Sequence, residues 1–271
     1  MKDSLLNVPS PSAHLISIPK DYFSGVQIPL RRSGWSGSSF LGFASPPFSI
    51  LNSNRHQYLH LSELKYFDQI PYERAKHQYL LSRYTAKCTL AHYLKEVDIK
   101  AIAVVKGIFR QPLVNYTKHP IPNISLAHTE GIGACIIFSR EHPMGLDLEF
   151  PKNESLESIA QTTTPNEKIL RTESLESDLS FYTRIWTAKE ALSKVLGTGL
   201  TTPLHVYEIN QLVVKKDYTI SYFKNFTQYK AISFWVGQFI CSIVLPKMTE
   251  CYPSTWIFDR LNISNFEQPR S

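Results

Sequence analysis

The stretch "AISFWVGQFICSIVL", Ala231 to Leu245, is the most apolar in the chain and restricts the fold more than any other. As a helix it is too short to cross a bilayer, and Gly237-Gln238 break it in the middle. Two β-rich runs around a short glycine turn read as a hairpin. The amino terminus, "MKDSLLNVPSPSAH", lacks the long apolar core of a signal peptide. No membrane association is expected, and the expected location is the cytoplasm. Cys88, Cys135, Cys241 and Cys251 are scattered, with no C-x-x-C pair and no histidines at zinc spacing, which fits a reducing compartment.

With 271 residues, 43% of them hydrophobic, the chain can form one large domain or two of ordinary size. Lysine and arginine number 29 against 23 acids, a formal charge of +6. That excess suits a polyanionic partner: nucleic acid, a phosphorylated cofactor or an acidic protein.

"FYTRIWTAKEALSK", Phe181 to Lys194, predicts a helix. Phe181, Ile185, Ala188, Leu192 and Val195 form an apolar stripe, which leaves Trp186, Lys189, Glu190 and Lys194 on the opposite side. The plain reading is a solvated face, where Glu190 and Lys194 form an i,i+4 pair worth about 0.2–0.5 kcal/mol. Trp186 among those charges is less expected there. "GTGL", Gly197 to Leu200, stops the helix.

Up to about Ile50 the chain is rich in Ser, Pro and Gly without a sustained period, and reads as irregular, with one short strand near Ser12 to Ser17. Pro71 to Leu94 predicts a helix whose apolar line is Leu80, Tyr84, Cys88 and Ala91, with Lys76, Arg83 and Lys87 as charges on its other sides. Ala101 to Val114 starts as a strand and reaches a loop at Arg110 to Pro112, and Asn123 to Ser139 gives two short strands around a turn at His128 to Gly131. In "TTTPNEKIL", Thr164 as cap, Pro165 at the first position and Glu167 three after the cap mark a helix start. No repeat of sequence relates the two halves.

"GLDLEF" alternates regularly: Leu146, Leu148 and Phe150 on one side, Asp147 and Glu149 on the other. Two carboxylates side by side repel, and need a basic neighbour, a shared proton or a divalent cation. A solvated outer face of an antiparallel strand is the alternative. If the helix brings Glu190 to the same place, three acids would suit Mg²⁺, and Lys189 and Lys194 would neutralise phosphate.

"MGLDLE" followed by "WTAKEALSK" resembles the signature of the 4'-phosphopantetheinyl transferase superfamily, (I/V)-G-(I/V)-D-x-E and, some forty residues on, (F/W)-x-x-K-E-(A/S)-x-x-K. Gly145, Asp147, Glu149, Trp186, Lys189, Glu190, Ala191 and Lys194 meet its fixed positions. "NISLAHT" is similar to the family's N-x-S-H-(S/T), with Ala127 in place of the serine. "RQP", Arg110 to Pro112, stands where relatives have G-K-P. The resemblance runs from about Glu63 to Leu245.

It implies an α+β fold, a pseudo-two-fold pair of similar lobes, each a helix packed on a small sheet, with the active site in the cleft between them. The expected divisions are an irregular extension over 1–50, an N-terminal lobe over 51–122, a C-terminal lobe over 123–248 carrying the metal and catalytic motifs, and a tail over 249–271. The implied activity is Mg²⁺-dependent transfer of the 4'-phosphopantetheine arm of coenzyme A to a serine of an acidic apo carrier protein, releasing adenosine 3',5'-bisphosphate. Asp147, Glu149 and Glu190 would hold the metal, while Glu190, Lys194 and Lys189 are the implied catalytic residues. His128, Thr129, Arg83, Lys87, Lys106 and Arg110 would hold coenzyme A. A monomer is expected, since both lobes lie in one chain. Two rivals remain: a Mg²⁺-dependent nuclease, which the charge would suit although Lys189 precedes its acid, and a non-catalytic binding module for a carrier protein or nucleic acid.

Overall fold

The computed structural model describes residues 22–96, 98–117 and 121–251. It opens with a long antiparallel hairpin, β1 (Phe23–Arg32) and β2 (Trp35–Ala44), paired from Phe23↔Ala44 to Arg32↔Trp35. Over residues 23–44 this corrects the irregular reading of the stretch 1–50. Val26, Ile28 and Leu30 are buried and Gln27, Pro29 and Arg31 exposed, a strand alternation hidden among glycines, serines and a proline. Pro29 is tolerated because β1 is the edge of its sheet. The strand expected near Ser12 to Ser17 and the tail beyond residue 251 lie outside the described residues.

Short helices follow, α1 (Phe48–Ser53), α2 (Arg55–Tyr58) and α3 (Leu61–Asp68), then the long α4 (Glu73–Leu94). Four strands come next: β3 (Ala103–Lys106), β4 (Pro112–Asn115), β5 (Asn123–Thr129) and β6 (Ile132–Phe138). The remainder is β7 (Gly145–Glu149), α5 (Asn153–Gln161), α6 (Pro165–Thr172), α7 (Asp178–Leu196), β8 (Ile209–Val214), β9 (Tyr218–Phe223), β10 (Tyr229–Val236) and β11 (Phe239–Pro246). The last two strands are the expected hairpin, turning at Gly237 with φ +58°. Thr164 caps α6 with Glu167 as its reciprocal partner, and Gly197 ends α7 in the left-handed conformation.

The strands form one sheet in the order β1-β2-β6-β5, a second in the order β7-β11-β10-β9-β8, and a separate β3-β4 hairpin. Since β5 and β6 pair with each other and β6 with β2, a boundary near Asn123 would cut the first sheet in two. The division between the two sheets falls instead between Phe138 and Gly145. The chain is thus α+β, in four layers. Ala86, Leu90, Cys135 and Ile137 fill the space between α4 and the first sheet, while Leu80, Tyr84 and Cys88 face the short helices with Leu51, Tyr58 and Phe67. Ile28, Phe43 and Ile136 meet Leu146, Leu148, Phe234 and Ile243 between the sheets. Phe181, Ile185, Ala188 and Leu192 carry the predicted stripe of α7 onto Phe223, Ala231 and Val244 of the second sheet.

One close approach sets the position of α7. A Cβ on Gly145 would lie 2.1 Å from the carbonyl oxygen of Ala191, so the helix rests directly on β7 at a glycine opposite an alanine. With those two residues in contact, Glu190 and Lys194 are carried to the face of β7 that bears Asp147.

Candidate active site

Asp147 and Glu149 project from β7 away from the inter-sheet core, which holds Leu146 and Leu148. They do not form a solvated outer face: Asp147 is only 6% exposed. Lys194 Nζ, one helical turn beyond Glu190, donates to Asp147 Oδ1 at 2.8 Å, to the Leu146 carbonyl at 2.9 Å and to the Leu126 carbonyl at 3.1 Å. Because Leu126 belongs to β5, this one ammonium joins the two sheets. Thr129, at the end of β5, donates to Glu149 Oε2 at 3.2 Å.

The remaining electrostatics of the cluster are unresolved by protein groups. Burial, then repulsion from Asp147, pushes Glu149 up to about 7, against the opposing hydrogen bond from Thr129 and the charge of Lys194. The same two causes, in the same order, push Glu190 up to about 7. Asp147 Oδ2 is buried and has no hydrogen-bond partner. Among the described residues no three or more His, Cys, Asp or Glu side chains close around a point as a finished metal site. The donor chemistry nonetheless fits a hard divalent cation: carboxylate oxygens only, one of them orphaned, with repulsion to be relieved.

Arg83, Lys106, Arg110, His128 and Lys194 all line one cleft of about 580 Å³. His128 and Thr129 also line a neighbouring cavity of about 670 Å³, with Arg74, His77 and Lys152. His128 has an exposed side chain, and the desolvation of its cleft-lining position, then the charge of Lys194, holds it below its ordinary value. Lys106 Nζ donates to the Tyr66 hydroxyl at 2.9 Å, and Arg83 lies over the Tyr79 ring at 4.6 Å. Arg110 adopts φ +63° in a turn closed by Gly107 N donating to the Gln111 carbonyl at 2.8 Å. Its neighbours Ile108 and Phe109 are 94% and 76% exposed. Sequence reading gave no reason to single out that apolar tip.

Two predicted site lysines are elsewhere. Lys189 points into the protein: its Nζ is 2.7 Å from Glu167 Oε2, with the two side chains 2% and 0% exposed. Lys87 is likewise enclosed, 2.8 Å from Glu63 Oε2 and donating to the carbonyls of Ile99 and Ile102. Burial lowers its pKa. Neither lines the cleft. Their identity as lysines is visible in the sequence, whereas their partners, Glu167 and Glu63, carry no signal there beyond a capping position. Trp186 is half-buried.

Residues 143–244 match the family model described as the 4'-phosphopantetheinyl transferase superfamily. A curated relative, the 4'-phosphopantetheinyl transferase gsp of Aneurinibacillus migulanus, is 26% identical over 107 residues, which are 39% of this chain and 43% of that protein. The match therefore spans less than half the length of the relative. The family-model match includes β7 with Asp147 and Glu149, and α7 with Glu190 and Lys194. In the part that carries these acids and their lysine, the chain is thus similar to the 4'-phosphopantetheinyl transferase superfamily.

Proposed function

We propose that this protein transfers the 4'-phosphopantetheine arm of coenzyme A to a serine hydroxyl of an apo carrier protein, with adenosine 3',5'-bisphosphate as the second product. The observation that carries this reading is Lys194, which lines a cleft with Arg83, Lys106, Arg110 and His128 and is bonded to Asp147 behind it. Such a cleft suits a ligand with several phosphates.

In the reaction the serine oxygen bonds to the phosphorus that bears pantetheine, and the bond from that phosphorus to the bridging oxygen breaks. Positioning and charge neutralisation supply most of the rate. Glu190 is the group placed to take the serine proton directly or through water, a role that competes with its holding a cation. Lys194 faces the departing oxygen and holds the charge it gains. His128 hydrogen-bonds the nucleotide phosphates with Thr129 beside it, while Arg83, Lys106 and Arg110 receive the 3'-phosphate. Asp147, Glu149 and Glu190 would hold Mg²⁺, whose chemistry is to draw charge off the pyrophosphate oxygens. On this reading the partner is an acidic carrier domain drawn by the net positive charge, and the protein works as a cytoplasmic monomer.

Intact-protein mass spectrometry of a panel of apo carrier proteins, after incubation with this protein, coenzyme A and Mg²⁺, tests the proposal. A gain of one phosphopantetheine that EDTA removes is the expected result. No gain on any carrier would refute the reading, and nicking of plasmid DNA with Mg²⁺ would favour the nuclease instead.

A further inference from the structure

A lysine ammonium has three N–H donors, and Lys194 has three acceptors within reach: Asp147 Oδ1 and the carbonyls of Leu126 and Leu146. Its hydrogen-bonding capacity is therefore committed within the protein. To hold a phosphate oxygen as well, it must release one of the three. The two carbonyls are neutral and fixed in the backbone of β5 and β7. Asp147 is the one charged partner, and its second oxygen, Oδ2, is buried without a partner. Lys194 is 27% exposed and lines the cleft while Asp147 is enclosed, so the lysine is the member of the pair with somewhere to go.

We infer that Lys194 is the resident counter-cation of Asp147, competing with a divalent cation for that carboxylate, and that loss of this contact is what makes the ammonium available to the phosphates of coenzyme A. The inference rests on the metal reading of the three acids given above and adds an order to it. A dication and an ammonium on one buried carboxylate repel each other strongly. The same side chain would thus weaken metal binding when alone and favour it when a phosphate is there to receive it. Metal and coenzyme A would then bind with positive, reciprocal coupling. Glu149 and Glu190, which lack a lysine of their own in the cluster, cannot substitute for this exchange.

The test is Mn²⁺ binding to the full chain without coenzyme A, read as free Mn²⁺ by electron paramagnetic resonance at about pH 8, where Glu149 and Glu190 are largely ionised. Lys194→Gln keeps a donor for the carbonyls and removes the charge. It should bind Mn²⁺ at least about tenfold more tightly than the wild type, and Lys194→Arg should show no such gain. Equal or weaker binding by Lys194→Gln overturns the inference while leaving the metal site standing. If folded wild type and variants all fail to bind Mn²⁺, the metal reading falls, and this inference with it. Should the glutamine variant fail to fold, Lys194→Met, which preserves the length of the stem, repeats the comparison with the same outcomes.

Discussion

Replacing Lys189 by methionine should unfold this protein more readily without removing a group from the reacting centre. The lysine is paired with Glu167 at 2.7 Å, and Glu167 is fully buried. That carboxylate also accepts the Thr164 N–H at 2.8 Å and the Ile209 N–H at 2.9 Å, so it fastens the start of α6 and the start of β8 to α7. Methionine fills most of the lysine volume but leaves the carboxylate charged, with two neutral donors and no cation. Breaking one side of a buried pair costs about 3–5 kcal/mol, a large share of the roughly 5–15 kcal/mol by which a domain is stable. Glu167→Gln combined with Lys189→Met strands no charge, so the double variant should lose less than the sum of the single changes. Urea unfolding followed by circular dichroism gives these differences, and carrier modification by the remaining folded protein gives the activity. A Lys189→Met protein within about 0.5 kcal/mol of wild type, yet devoid of transfer, would return Lys189 to the catalytic face and refute the structural argument.

Gly145→Ala should destabilise by about 1–3 kcal/mol or more, since its methyl would overlap the Ala191 carbonyl; an unchanged melting temperature would contradict the helix-on-strand contact. Glu149 and Glu190, both raised to about 7 from an ordinary value of 4.5, bind more protons folded than unfolded. Their contribution to stability is therefore fully present below the ordinary value and is lost as pH rises through about 7, before metal is added. Thermal melts from about pH 5 to about pH 8 should show Glu190→Gln gaining on the wild type at the upper end, and parallel curves would count against the raised values. His128→Ala should weaken coenzyme A binding by about tenfold through loss of a phosphate hydrogen bond; calorimetry showing unchanged affinity would remove His128 from the cleft's function.

The candidate site was legible where chemistry and periodicity coincide. In "GLDLEF" a period of two places leucines and acids on opposite faces of β7, and in α7 an i,i+4 step aligns Glu190 with Lys194. Lys189 defeated the same method because it lies on the flank between the stripe and the acids, and periodicity says nothing of a partner 22 positions earlier. Glu167 was legible as a cap residue, and that was half its role: one oxygen takes the cap N–H and the lysine while the other reaches a strand. The β1-β2 hairpin was illegible for a different reason. Glycines and serines at packed positions carry no hydrophobic signal, and Gly42 is small because a Cβ there would lie 2.4 Å from Thr89 Oγ1 on α4.

That last contact has a counterpart which separates fold from chemistry. Gly42 of β2 lies under Thr89 of α4 as Gly145 of β7 lies under Ala191 of α7. Glu63 of α3 takes its cap N–H, Lys87 of α4 and the Val104 N–H, as Glu167 of α6 takes its cap N–H, Lys189 of α7 and the Ile209 N–H. On β2, Ala44 pairs with Gly133, while on β7 Asp147 pairs with Ser242. Stepping along both halves from these anchors sets Ala44 against Asp147, Cys88 against Glu190 and His92 against Lys194. The N-terminal half thus keeps the glycine contact, the buried glutamate and its lysine, yet has no carboxylate at the positions that carry the acids in the C-terminal half. A feature present in both halves serves the scaffold they share. Lys87 and Lys189 are such a feature, whereas Asp147, Glu190 and Lys194 occur on one side only, and it is there that the cleft chemistry has to be sought.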